Sequence, residues 1–163
     1  MFRVIYSVIS GVKVKIIGMS SKKIVPIVEG LFTWPSDSPR LIGSKCPICG
    51  SVQFPKSSVC NNPECDHSKP PEEYLLSTEG TLYTYTIHHY SLGGPLSFHK
   101  APYAIAAVKL PEGIIIVGRL TETDESKLKI GMKVKLKIDK LYEDENNIYV
   151  TYFFEPVSEE VEE

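Results

Sequence analysis

From residue 80 onward, apolar and polar positions follow the two-residue period of β-strands. Residues 132–141 alternate strictly: Met132, Val134, Leu136 and Ile138 fall on one face, Lys133, Lys135, Lys137 and Asp139 on the other. A strand sends successive side chains to opposite faces, so this spacing predicts a strand with one face on a core. Four further stretches, 81–90, 103–110, 114–120 and 148–154, are rich in Thr, Tyr, Ile and Val. They are bounded by turn signals, Pro111-Glu112-Gly113 and the polar run 143–147. The break at 121–131 holds a short helical candidate at 126–130.

Five strands with an insertion between the third and fourth match a partly open Greek-key barrel of the OB type; an SH3-like barrel fits the same pattern. The expectation is a mostly β chain in which an N-terminal ribbon (40–75), read from the cysteines below, precedes a five-stranded OB-fold barrel (76–157). An acidic tail (158–163) follows, and residues 1–39 form a largely irregular extension. In that extension, Pro26, Pro35 and Pro39 with Gly30 and Gly43 beyond disfavour helix. The segment should therefore run extended over the surface, with Leu31, Phe32 and Trp34 packing it down. The apolar stretch 4–12 faintly resembles a signal peptide, but Lys13 and Lys15 interrupt it and no small-residue cleavage site follows. Met19 opens Met-Ser-Ser-Lys-Lys, which reads as a start, so residues 1–18 are expected to be an upstream extension or a loosely attached arm.

The ribbon rests on the four cysteines, Cys46, Cys49, Cys60 and Cys65. They form two short-spaced pairs, CPIC and CNNPEC, separated by ten residues. Each knuckle turns two sulfurs the same way, and two knuckles can enclose a tetrahedral Zn²⁺. Pro47 and Gly50 suit the first turn. Two disulfides are the rival reading, suited to a small secreted domain rather than a chain of 163 residues with no cysteine elsewhere. A closed four-thiolate site has no open position, so the zinc should be structural. His67 is close enough to compete as a ligand, but four sulfurs already complete the site.

Composition narrows the function. Apolar residues at 42% and charged residues at 23% are ordinary for a globular chain, and no apolar run spans a bilayer. The expected location is cytoplasmic. Net charge is −2, with a modest basic excess only in the N-terminal stretch, which argues against a phosphate-tracking nucleic-acid binder. The Lys133/Lys135/Lys137 stripe reads as a solvated strand face. The loop from His88 to Lys100 concentrates three histidines, a Gly-Gly pair, two aromatics and a lysine on the side of an OB barrel that usually binds ligand. No Ser/His/Asp order, His-Glu-x-x-His or phosphate-cradling Gly-Lys motif is present. The chain reads as a binding or scaffolding module.

The order of Cys-Pro-Ile-Cys ribbon, GTLYTYTIHHY strand, Leu-Pro-Glu-Gly turn and Gly-Arg-Leu strand resembles a bacterial and archaeal thiolase-associated family. Its members join a rubredoxin-like zinc ribbon to an acyl-CoA-associated OB-fold domain. The resemblance covers about residues 26–156. It implies a non-catalytic accessory subunit that bridges a thiolase and, in some cases, hydroxymethylglutaryl-CoA synthase, and that helps form a shared acyl-CoA passage. It also implies zinc on Cys46, Cys49, Cys60 and Cys65, and acyl-CoA or partner contacts near His89, Phe98, His99, Lys100 and Arg119. The chain departs from the family in its wider second knuckle and in the proline-rich segment where many members carry two helices. A zinc-ribbon/OB-fold nucleic-acid-binding module remains the alternative, and an independent CoA-ester hydrolase a third reading without a visible nucleophile.

Overall fold

The alternation read in the sequence becomes a closed barrel in the computed structural model. It describes the backbone at residues 5–9 and 12–16 and whole residues over 22–94 and 100–157. The strands are β1 (Ile5–Ile9), β2 (Val12–Ile16), β3 (Lys23–Pro26), β4 (Ile42–Lys45), β5 (Val52–Gln53), β6 (Glu72–Leu75), β7 (Glu79–His88), β8 (Tyr103–Lys109), β9 (Ile115–Leu120), β10 (Lys133–Glu143) and β11 (Asn147–Pro156). No α-helix occurs among the described residues.

The last five strands close in the order β7-β8-β9-β11-β10, and β10 returns to β7 through Lys133↔Thr81 to Lys135↔Glu79. All of these pairings are antiparallel except β9 with β11, which is parallel through Phe153↔Arg119 and Phe154↔Leu120. One parallel closure among five strands is the OB arrangement, and it decides between the two barrels that the strand pattern allowed. The inward residues are those that alternation predicts: Leu82, Ala104, Ala106, Val108, Ile116, Leu120, Val134 and Phe154 are buried. Gly118 makes room for the two aromatics of β11. A Cβ there would lie 2.9 Å from the Tyr152 ring and 3.0 Å from the Phe154 ring, closer than real contacts allow.

Two expectations are corrected. The helix at 126–130 is a single 3-10 turn, Glu125–Lys127, capped by the Asp124 side chain on Ser126 N. Leu128 leaves the turn in extended conformation and buries its side chain in the core, which ends the helix. The extension read as largely irregular carries three short strands. β1 and β2 pair as an antiparallel hairpin, and β3 joins the barrel by parallel pairing to β11, Ile24↔Ile148 among its contacts. The proline-rich segment is packed down by its apolar residues as expected: Phe32 and Leu41 bridge to each other and lie within the barrel's own core cluster with Leu76. Trp34 packs edge-on against Phe32 at the margin of that core.

The ribbon sheet, β5-β4-β6, is joined to the barrel by this shared core and by one arginine. Arg40 Nε donates to Leu76 O (2.9 Å) and its Nη2 to Leu75 O (2.8 Å), at the chain's passage from β6 to β7. Its backbone N–H donates to Thr33 Oγ1. Arg40→Ala removes two charge-assisted bonds to part-buried carbonyls, so unfolding free energy should fall by about 1.5–3 kcal/mol. Urea denaturation measures this, with the midpoint falling and the slope unchanged.

Candidate metal centre and ligand face

Local sequence builds each knuckle. In the first, Gly50 adopts φ +74° and donates its N–H to Cys46 O (2.9 Å), while Cys46 N donates to Ser51 O. In the second, Cys65 N donates to Asn62 O. Gln53 ties the knuckles together from β5: its Nε2 donates to Val59 O (2.7 Å) and its Oε1 accepts from Asn61 N (3.0 Å). Buried Ser44 accepts from Ser57 N through its hydroxyl. These two polar residues carry no motif, and sequence reading passes over them. A buried glutamine holding the backbone on both sides of Cys60 is visible only when the loop has closed.

The four sulfurs lie within 4.8 Å of one another. The nearest pairs cross between knuckles: Cys46 Sγ to Cys65 Sγ is 3.7 Å and Cys49 Sγ to Cys60 Sγ is 3.6 Å. A disulfide needs about 2.05 Å, so the cysteines are not bridged. Four sulfurs held about 2.3 Å from one metal stand about 3.8 Å apart at tetrahedral corners. The donor set and spacing therefore fit a closed four-thiolate metal site. Without a cation, such packed sulfurs ionise unequally, one thiolate being favoured at the expense of its neighbours. The Ser51 backbone N–H leads in drawing Cys49 down to about 7. The Asn62 N–H lowers Cys60, yet burial and the neighbouring Cys49 and Cys46 sulfurs outweigh it and push Cys60 up to about 12. A divalent cation reverses this logic by favouring every thiolate at once. His67 stands outside the cluster, its ring hydrogen-bonded to Asn62 O.

The predicted ligand residues fall in separate places. Phe98 and His99 lie outside the described residues. Lys100 is exposed. His89 lies just past β7 and lines a shallow groove with Tyr85, Ile87, Glu125 and Ile130. Arg119 stands on the outer face of β9, its guanidinium 5.3 Å from the Tyr103 ring centre and 5.5 Å from that of Phe153. Burial lowers its pKa, its largest influence, although it stays a cation at any ordinary pH. Among the described residues, His88 rather than His89 joins this group: it stacks on Tyr103 with ring centres 4.7 Å apart and planes 10° from parallel. Strand alternation carries the reason, since His88 pairs directly with Tyr103. The lysine stripe on β10 is neutralised, with Lys135 and Lys137 both paired to Glu155.

A four-cysteine ribbon leading into an OB barrel defines a two-part class of β modules. Residues 34–72 match the family described as the ChsH2 rubredoxin-like zinc ribbon domain, and residues 73–139 match the ChsH2 C-terminal OB-fold domain. A DUF35 domain-containing scaffold protein of Methanocaldococcus jannaschii is 37% identical over 113 residues, which is 69% of this chain and 77% of the relative. The chain belongs to this DUF35 scaffold family. The benzoylsuccinyl-CoA thiolase subunit BbsA of Thauera aromatica is 34% identical over 88 residues, 53% of this chain and 56% of that one. Among solved structures, the Ltp2-ChsH2(DUF35) aldolase superposes with a TM-score of 0.56 at 27% identity, over 72% of this chain and 84% of its own.

Proposed function

We propose that this chain is a non-catalytic scaffold subunit of an acyl-CoA-processing assembly built around a thiolase, with its ribbon held by one structural zinc. The observation that carries the reading is the pairing of family and architecture. The chain shares its ribbon and barrel with proteins named as scaffolds, and a thiolase subunit is among its relatives. The chemistry of the ribbon supports it. Four converging thiolates suit zinc and leave no coordination position for a substrate or water. Cys46, Cys49, Cys60 and Cys65 would hold the metal, and its contribution there is folding energy.

The finer reading extends to acyl-CoA. His89 in its groove, Lys100, and Arg119 on the outer face of β9 would lie towards the shared acyl-CoA passage or the partner, with hydroxymethylglutaryl-CoA synthase a second partner where the assembly includes one. No described helix is long and apolar enough to cross a membrane. An assembly of this kind works in the cytoplasm, where acyl-CoA esters are processed.

Native purification of the tagged full-length chain, with mass spectrometry of what accompanies it and metal analysis, tests this. A thiolase should co-purify in a fixed ratio to the chain, with one zinc per chain. Salt-sensitive binding to single-stranded nucleic acid, with no thiolase retained, would instead favour the nucleic-acid module.

A further inference from the structure

The outer face of β8 and β9 is apolar where a solvated sheet face should be polar. Alternation sends Ala104, Ala106, Val108, Ile116 and Leu120 into the barrel. It leaves Ile105, Ala107, Ile115, Val117 and Arg119 outside. The register sets Ile105 opposite Arg119 and Ala107 opposite Val117. Val117 is 60% exposed and Ile115 is 49% exposed. Antiparallel strands with one solvated face alternate apolar with polar residues, whereas strands covered on both faces are apolar throughout. YAIAAVK and IIVGRL are of the second kind.

Two cations stand in this face, the exposed Lys109 opposite Ile115 and Arg119 opposite Ile105. Arg119 is held between the rings of Tyr103 and Phe153, and its buried Nε has no hydrogen-bond partner among the described residues. That atom is sealed from solvent, but the guanidinium as a whole is only part-buried and forms no ion pair among the described residues, so its charge is left to a partner from outside. A guanidinium fixed by two rings and edged by apolar surface is shaped to receive a carboxylate. Arginine and aromatic anchors of this sort carry much of the energy in protein interfaces.

We propose that the outer face of β8 and β9 is the surface on which the partner enzyme docks, with Arg119 receiving one of its carboxylates and Val117 and Ile115 packing against its apolar side chains. The proposal rests on the thiolase-scaffold reading. A second copy of this chain fits poorly. In a two-fold dimer the same patch meets itself, and the outward positions opposite this stripe on β7 are Thr84 and Thr86. The neighbouring acid, Glu155, is committed to Lys135 and Lys137. Ala107 and the two threonines keep the relief low, which suits a protein surface better than the enclosure of a small ligand.

The test uses the zinc-loaded full-length chain and the purified thiolase that accompanies it, with affinity read by biolayer interferometry. Val117→Asp and Arg119→Gln should each weaken binding at least tenfold. Ile24→Asp, an exposed change on β3, should leave it unaltered. Val117 is exposed, so its variant should fold, and thermal melting by circular dichroism checks this for both. If folded Val117→Asp and Arg119→Gln bind like the parent, this inference falls and the scaffold reading stands. If the parent chain binds no thiolase, the scaffold reading falls and takes the inference with it. A dimer of the isolated chain that Val117→Asp dissolves in sedimentation would assign the face to a second copy and overturn the proposal.

Discussion

Cys46→Ser should release the metal and unfold the ribbon between residues 46 and 65, while the barrel keeps its sheet. The reason lies in how little else holds that segment. Its buried cluster consists of Cys46, Cys60 and Cys65. Its strand β5 has two residues, and its buried polar groups, Ser44 and Gln53, bond only to loop backbone. Structural zinc contributes about 10–16 kcal/mol in small zinc-binding peptides at neutral pH, far more than such a core can supply. The barrel lies outside this dependence. The buried residues of its core all fall outside 46–65, and that segment meets the core only at its margin through the part-buried Val52 and Phe54, the latter edge-on to Tyr152. Metal analysis should fall from one zinc per chain to near zero. In a nitrogen–proton correlation spectrum the amides of 46–65 should lose their dispersion, with those of β7 to β11 unchanged. A variant that keeps its metal and an ordered 46–65 segment would contradict the role assigned to the ribbon.

The second large effect concerns the barrel. Phe154→Ala should cost about 3–5 kcal/mol, the range for deleting a buried phenylalanine. Phe154 is 1% exposed. Its backbone pairs with Leu136 of β10 on one side and Leu120 of β9 on the other, and Thr121 N donates to its carbonyl. Its ring fills the space that Gly118 leaves and meets Tyr152 edge-on at 6.2 Å. The cavity would therefore open at the strand that closes the barrel, where neighbours on both sides are fixed by ladder hydrogen bonds and cannot collapse inward. Against a typical stability of about 5–15 kcal/mol, this is a large fraction. Scanning calorimetry should show a melting temperature lower by roughly 10–20 °C. Ile130→Ala, at a side chain 69% exposed, should leave it almost unchanged.

Much of this architecture was legible because it is written in local periods. The alternation at 132–141 becomes β10, with Val134 fully buried and Lys133 exposed. The short Cys-x-x-Cys spacing marks a knuckle because two sulfurs three residues apart can face one way across a tight turn. Other features were illegible for equally physical reasons. Phe32 and Leu41 sit among prolines and a glycine, where composition reports only the absence of helix; their burial depends on an antiparallel bridge and on Leu76 beyond the ribbon. The 126–130 stretch has helix-forming residues, but Leu128 gains more by entering the core than by continuing a turn.

The sequence alone determined the strands, their inward faces, the paired cysteines of the ribbon and a charge balance unsuited to tracking phosphates. All of these follow from residue type and short-range spacing. Only the tertiary structure decided how the pieces meet: the parallel pairing of β9 with β11, the convergence of Cys46 on Cys65, and the setting of Arg119 between two rings from other strands. Each joins residues far apart in the chain, and no local period records the closure that brings them together.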